Sequence, residues 1–458
     1  MFIGRKNELK TLEKFYSRES FQLVTLYGRR RVGKTELIQQ FIKNKEALFF
    51  SAEETTSLEN LRKLSKEYEK FIEKPIGTFG NWDDFFNALD YESKKYIFVI
   101  DELPYICESD TSFLSKFQHA IDHSLKSKNI MIILCGSSIS FMEGLLSEKS
   151  PIFGRETGNI LLRALPYYDA IKMLPKMKNI DRLEAFFLLG GIPEYLKQFS
   201  SYSDYNHAIV ERILDRSELL FQVPNNFLKM ELRNPAIYNA IIGAIAEGAS
   251  KQNEIMTKVG LMPATGQRYL DTLIKLDILE RLHPINNITK RKSIYRIKDP
   301  LFEFIYRFAY HYRTNIERGD GQLTFDNFIK PNLNTYFGHQ FEKIVFEYIH
   351  VQNSSLLLPD YYHTIGKWWG GNPISKTEEE IDIVAFSNHS SLFVECKYKN
   401  SPVDTHTLEA LIQKSHLLSR TNCHYMIASK GGFTNSLKQR ASQDPTIHLV
   451  DLDEILSL

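Results

Sequence analysis

The run Gly28-Arg29-Arg30-Arg31-Val32-Gly33-Lys34-Thr35 fits the pattern G-x-x-x-x-G-K-[ST], between an apolar stretch and a helical one. In that setting the glycines let backbone N–H groups turn inward on phosphate oxygens, and the helix start adds positive potential. Lys34 can bridge β- and γ-phosphates and the Thr35 hydroxyl can ligate Mg²⁺. All eight residues, with Arg29, Arg30, Arg31 and Val32 supplying backbone, therefore read as a cradle for ATP with Mg²⁺; a plain glycine turn is the alternative. Tyr96-Ile97-Phe98-Val99-Ile100-Asp101-Glu102 is an apolar strand ending in two carboxylates. Asp101 would hold Mg²⁺ through water and Glu102 would orient and deprotonate an attacking water, or the two acids simply cap a helix. A hydroxyl at Ser137, in Gly136-Ser137-Ser138, either reads the γ-phosphate or serves as an N-cap. Arg155, in Phe153-Gly154-Arg155-Glu156, either stabilises transition-state charge, in cis or across a subunit boundary, or is a surface arginine.

A second constellation lies near the C-terminus. Glu342 belongs to a helical stretch whose apolar face is Phe341, Ile344, Val345 and Tyr348. Asp382 follows in Glu380-Ile381-Asp382-Ile383-Val384, and then Phe393-Val394-Glu395-Cys396-Lys397. Strand alternation puts Glu395 and Lys397 on one face, opposite Val394 and Cys396. Asp382 and Glu395 could hold one or two Mg²⁺ while Lys397 steers or activates water toward a phosphodiester. The plainer reading is a solvated acid face with a chance E-x-K triplet.

The elements that must position these residues follow from patterning. Up to about residue 165, apolar strands at 21–27, 47–51, 96–100 and 130–135 alternate with amphipathic helices, including 36–43 after the glycine loop; this is the order of βαβ units around a parallel sheet. From 167 to about 238 the pattern is helical. Three helical patterns at 237–246, 252–259 and 265–276, then β-like runs at 279–284 and 293–297, read as a winged helix-turn-helix. Thr265, Gln267 and Arg268 stand near the start of its third helix, where base edges are read, and Lys290, Arg291 and Lys292 at the wing tip could meet phosphates. Asp271 and Asp277 weaken that patch, and a nucleotide-responsive hinge or protein contact is an equal reading. At 298–318, Phe302, Phe304, Tyr306, Phe308, Tyr310 and Tyr312 recur every second position, which reads as packing. A helix at 338–350, strands at 381–386, 392–397 and 423–428, a helix at 405–418 and an apolar run at 447–450 close the chain.

The 458 residues are too many for one ordinary domain. With 57 basic against 56 acidic residues, the net charge of +1 gives no global pull toward nucleic acid or membrane. The four cysteines, Cys107, Cys135, Cys396 and Cys423, form no CxxC pair, which argues for reduced thiols. Residues 1–10 lack the apolar core of a signal peptide and no run is long enough to span a membrane, so the cytoplasm is the expected location and no membrane partner is expected.

The opening Phe2-Ile3-Gly4-Arg5 with Glu8 and Leu9, the strand-end Gly136-Ser137-Ser138, Phe153-Gly154-Arg155-Glu156 and Gly190-Gly191-Ile192-Pro193 together resemble AAA+ and STAND-type P-loop ATPases, in particular a prokaryotic family best represented in archaea. The resemblance covers residues 1 to about 200. It implies an ATP-hydrolysing molecular switch in which Gly191 and Pro193 belong to a lid segment that contacts the base. The C-terminal acids resemble the active-site positions of the PD-(D/E)xK restriction-endonuclease-like fold, as found in the domain of unknown function fused behind such ATPases. That likeness assigns Glu342, Asp382, Glu395 and Lys397 to the site, with Gln413 auxiliary; Ile381 replaces the usual proline. The expected α/β architecture is a P-loop parallel-sheet core (1–165), a helical lid (166–233), a winged helix (234–300), an aromatic connector (301–334) and a nuclease-like domain (335–458). Its expected partners are ATP, DNA through the winged helix and C-terminal domain, and a second copy or a partner protein. The C-terminal domain either cleaves or serves as a non-cleaving protein- or DNA-binding module.

Overall fold

The computed structural model describes residues 2–89, 95–285, 292–373, 375–418 and 420–458. The chain divides into two compact units, Met1–Leu165 with Ile192–Glu194, and Pro166–Gly191 with Tyr195–Leu458.

In the first unit, β1 (Gln22–Tyr27), β3 (Tyr96–Asp101) and β4 (Ile130–Gly136) are apolar along their length and buried at every position, as strands covered on both faces must be. With β2 (Ala47–Ser51) and β5 (Gly158–Leu161) they form one parallel sheet in the order β2-β3-β4-β1-β5. Trp82, Phe85, Phe86, Phe98, Phe113 and Phe117 fill one of its covering layers. The order has a functional consequence. β4 lies between β1 and β3, so the C-terminal ends of β1 and β3 stand about 10 Å apart in backbone, with the end of β4 between them. Sequence patterning does not reveal β5, a four-residue edge strand whose first residues are Gly158 and Asn159.

The second unit begins with helices. Asn179–Leu189, Tyr205–Arg212 and Leu219–Glu231 precede Pro235–Ala246, Gln252–Val259 and Pro263–Lys275, after which β6 (Leu279–Leu282) and β7 (Ile294–Ile297) pair antiparallel. The aromatic stretch is helical despite its spacing of two. Pro300–Phe304 runs into a π-helical turn, Ile305–Ala309, so that Phe302, Tyr306 and Tyr310 line up along one side, with successive ring centroids 6.3 and 5.0 Å apart. Phe304 and Phe308 instead pack edge-on against Tyr336.

The 22-residue helix Leu333–Ser354 then precedes a mixed sheet. β8 (Thr364–Gly371), β9 (Glu378–Phe386) and β10 (Ser391–Lys397) form an antiparallel meander. The helix Thr405–Ser415 crosses to β11 (Cys423–Ser429), parallel to β10, and Asn435–Gln443 crosses to β12 (Ile447–Asp451), parallel to β11. Sequence patterning does not reveal β8 either, because Gly366, Gly370 and Gly371 erase the alternation and a bulge interrupts it between Gly366 and Trp368.

Candidate functional site

β1 delivers the glycine loop. A Cβ at Gly28 would stand 2.2 Å from the Leu162 carbonyl oxygen, so only glycine leaves β1 there. Arg31 at φ 69° and Gly33 at φ 93° adopt left-handed backbone and curl the loop into the helix Lys34–Ile42. Lys34 folds back across the loop, donating to the carbonyls of Gly28 at 2.9 Å and Arg29 at 3.2 Å. Burial draws its ammonium below the ordinary lysine pKa, while the Asp101 and Glu102 carboxylates pull the other way.

Thr35 Oγ1 donates to Asp101 Oδ2 at 2.8 Å. The bond brings together a hydroxyl and a carboxylate, the oxygen donors that Mg²⁺ prefers, so the residues present fit that ion. Asp101 is buried at the end of β3, and its Oδ1 accepts the Glu102 N–H at 3.0 Å. Glu102 sits at φ 54°, a conformation that non-glycine residues hold only when neighbours impose it. Its Oε2 accepts the Ser137 hydroxyl at 2.9 Å at the end of β4. Ser137 is therefore a partner of the acid, and the N-cap position of the helix Ile139–Leu145 falls on Ser138, whose side chain accepts no cap bond.

The structure adds Arg5, whose Nη2 donates to the Val32 carbonyl at 2.9 Å and so holds the loop from outside. Its signal was the opening Phe2-Ile3-Gly4-Arg5, with no chemistry in its spacing. Pro193 packs with this unit, its Cγ 3.9 Å from the Cβ position of Gly33, whereas Gly191 belongs to the other unit. Arg155 is held by Asp122, with Nη2 to Oδ2 at 2.6 Å, and by the carbonyls of Pro151 and Phe153. Its described partners include none of the loop residues.

The C-terminal residues converge from one helix and two strands, joined by lysines the sequence did not single out. Glu342 Oε2 lies 2.9 Å from Lys367 Nζ of β8, and the same ammonium is 3.5 Å from Glu380 and 4.0 Å from Asp382. Asp382 Oδ2 accepts the Cys396 N–H at 2.8 Å. Lys397 Nζ is 2.5 Å from Glu395 Oε1, and Lys414 Nζ is 3.8 Å from Glu395 Oε2. Its neighbour Gln413 is exposed. Burial, then the nearby charges of Glu342 and Glu395, lift the Asp382 carboxyl to about 7. Glu342 responds oppositely. Burial would raise it, but the His339 hydrogen bond and the Lys367 charge outweigh that and hold it at about 2. Among the described residues no group of three His, Cys, Asp or Glu side chains is arranged to hold a metal ion. The donor set is one of acids already neutralised by lysines, and it does not form a ready cation cage.

In the helix Pro263–Lys275, Thr265 and Arg268 are exposed. Gln267 is occupied by Asp271 at 2.7 Å, and Asp277 pairs with Lys298. Lys292 is exposed; Lys290 and Arg291 lie outside the described residues. The four cysteines are free, and among the described residues no helix is long and apolar enough to cross a membrane.

A family described as an ATPase domain predominantly from Archaea matches residues 2–199, the stretch that holds the glycine loop, both carboxylates and Ser137. A second, described as archaeal and bacterial proteins of unknown function, matches residues 305–410, a span that contains Glu342, Asp382, Glu395 and Lys397. An uncharacterized protein of Methanocaldococcus jannaschii is 33% identical over 405 residues, 87% of this chain and 88% of its own. An uncharacterized ATP-binding protein of the same organism is 52% identical over 46 residues, 10% of this chain and 78% of its own. Among solved structures, the Walker-type ATPase of Pyrococcus abyssi superposes with a TM-score of 0.54 at 20% identity, covering 67% of this chain and 96% of that one; the likeness is one of fold.

Proposed function

We propose that this chain, an ATPase that belongs to the family of its uncharacterized Methanocaldococcus jannaschii relative, is a molecular switch whose nucleotide state controls its C-terminal domain. The observation that carries this reading is the 2.8 Å bond from Thr35 to Asp101, beside a Glu102 that Ser137 holds. Thr35, and Asp101 through water, would hold Mg²⁺, which would supply charge neutralisation at the phosphates. Lys34 exchanges its bonds to Gly28 and Arg29 for phosphate oxygens. Glu102 leaves Ser137 as a γ-phosphate oxygen competes for the hydroxyl, and then orients and deprotonates the attacking water. Gly191 and Pro193 carry the lid toward the base, and Arg155 serves a site only after leaving Asp122, as an arginine supplied in trans to a second copy would.

Residues 166–233 act as the lid and 234–300 as a winged helix that offers Thr265 and Arg268 to DNA. Residues 301–334 serve as the connector. Residues 335–458 act as a restriction-endonuclease-like domain on nucleic acid, with Glu342, Asp382, Glu395 and Lys397 as its site. The order of one helix, three meandering strands, a helix and a parallel strand supports that assignment. One observation favours a second reading, a non-cleaving binding module: Lys367 and Lys397 already pair with Glu342 and Glu395. The test is Mg²⁺- or Mn²⁺-dependent cleavage of mixed DNA and RNA, with and without ATP, by wild type, Asp382→Ala and Lys397→Ala. Cleavage that both substitutions abolish is the expected result for a nuclease. No cleavage of any substrate, with ATP turnover intact, assigns the domain to binding.

A further inference from the structure

Glu184 is buried in the helix Asn179–Leu189, where a carboxylate is costly unless paired and hydrogen-bonded. It is both. The Tyr398 hydroxyl donates to its Oε1 at 2.6 Å, and Lys430 Nζ lies 3.0 Å from the same oxygen. The Tyr205 hydroxyl is a further hydrogen-bond partner. Tyr398 directly follows Lys397 at the end of β10, and Lys430 directly follows the last residue of β11. The Lys430 N–H donates to the Lys397 carbonyl at 3.1 Å, tying the two strand ends together. Around this pair, Phe187 of the same helix meets the Tyr398 ring edge-on with centroids 5.3 Å apart, and Lys430 Nζ stands 4.3 Å from the centroid of that ring. One side chain of a helical segment thus grips both strand ends that frame Lys397.

The same helix is followed along the chain by three residues that belong to the ATPase unit. It ends at Gly190, whose φ is 64°, and a Cβ there would stand 3.0 Å from Pro300 Cδ. Past Gly191, the next three residues pack with the ATPase unit, and Pro193 abuts Gly33. Chain connectivity thus joins the helix that carries Glu184 to residues that pack beside the glycine loop, and a buried charge pair is an element that can have two discrete arrangements. We propose that Glu184 is a positioning residue: it transmits the nucleotide state sensed at Gly33 and Pro193 to Tyr398 and Lys430, and through them sets Lys397. The proposal rests on the reading that nucleotide controls the C-terminal domain.

The test is hydrogen exchange in the full chain, with and without Mg²⁺ and the non-hydrolysable analogue adenylyl-imidodiphosphate, followed in residues 398–404 and 429–434. Wild type is expected to change exchange there by about fivefold or more, the low end of ordinary coupling. Glu184→Gln is expected to bind the analogue and to lose that change. A Glu184→Gln chain that keeps the wild-type response overturns the role of Glu184 and leaves nucleotide control standing. No response in wild type, with the analogue bound, overturns nucleotide control and the proposal with it. Should Glu184→Gln fail to fold, Tyr398→Phe and the double variant E184Q/K430M, which leaves no buried charge unpaired, give the same readout: loss of the response supports the role of Glu184, and a retained response overturns it.

Discussion

Glu347, in the helix Leu333–Ser354, has a carboxyl that burial lifts to about 7, with the Tyr167 N–H at 3.2 Å opposing the shift. A carboxyl raised above its unfolded value binds more protons folded than unfolded between about pH 4.5 and 7. Stability must therefore fall as pH rises through that window, and the cost is fully present above it. Glu347→Gln keeps an acceptor for Tyr167 and removes the charge. It is expected to stabilise the chain by about 3 kcal/mol at pH 8 and by almost nothing at pH 4.5. Denaturant midpoints of both chains across that range check this, and parallel curves would contradict it. Single residues were legible where a motif fixes their neighbours. Lys34 and Thr35 could be placed on a loop because the spacing of Gly28 and Gly33 admits few other structures. Lys367 could not, because its partners Glu342 and Asp382 meet it only when a helix and two strands assemble.

Elements were legible in proportion to how fully they are buried. β1, β3 and β4 announced themselves as apolar runs, and their burial at every position is the reason. β5 and β8 did not, because glycines and polar residues at sheet edges carry no periodic signal. The stretch from Phe302 to Tyr312 pointed to packing without fixing its element. A spacing of two suits a strand, but aromatic rings on opposite sides of a helix with a π turn show the same spacing. The turn leaving β1 makes its own demand, because Gly28 lies beneath the Leu162 carbonyl. Gly28→Ala must push β1 and the segment after β5 apart. It is expected to cost about 1 to 3 kcal/mol of stability and to weaken ATP binding at least about tenfold. Thermal unfolding and nucleotide titration of that variant check both, and wild-type affinity would show that the loop tolerates a side chain.

For the molecule as a whole, length indicated several cores, and the contacts divide the chain into two compact units. Sequence could not show that Ile192–Glu194 leave the helical unit to join the ATPase unit, because that exchange depends on tertiary contacts around Pro193. Strand order was equally hidden, yet it brings Thr35, Asp101, Glu102 and Ser137 together from three separate stretches of chain. In the proposed switch, that group holds the nucleotide and resets it by hydrolysis. The most direct measurement is ATP binding and hydrolysis by wild type and Glu102→Gln under identical Mg²⁺. The substituted chain is expected to bind MgATP as tightly as wild type and to hydrolyse it about 10² to 10⁴ times more slowly. Unchanged turnover in Glu102→Gln would contradict the assignment of Glu102 as the base.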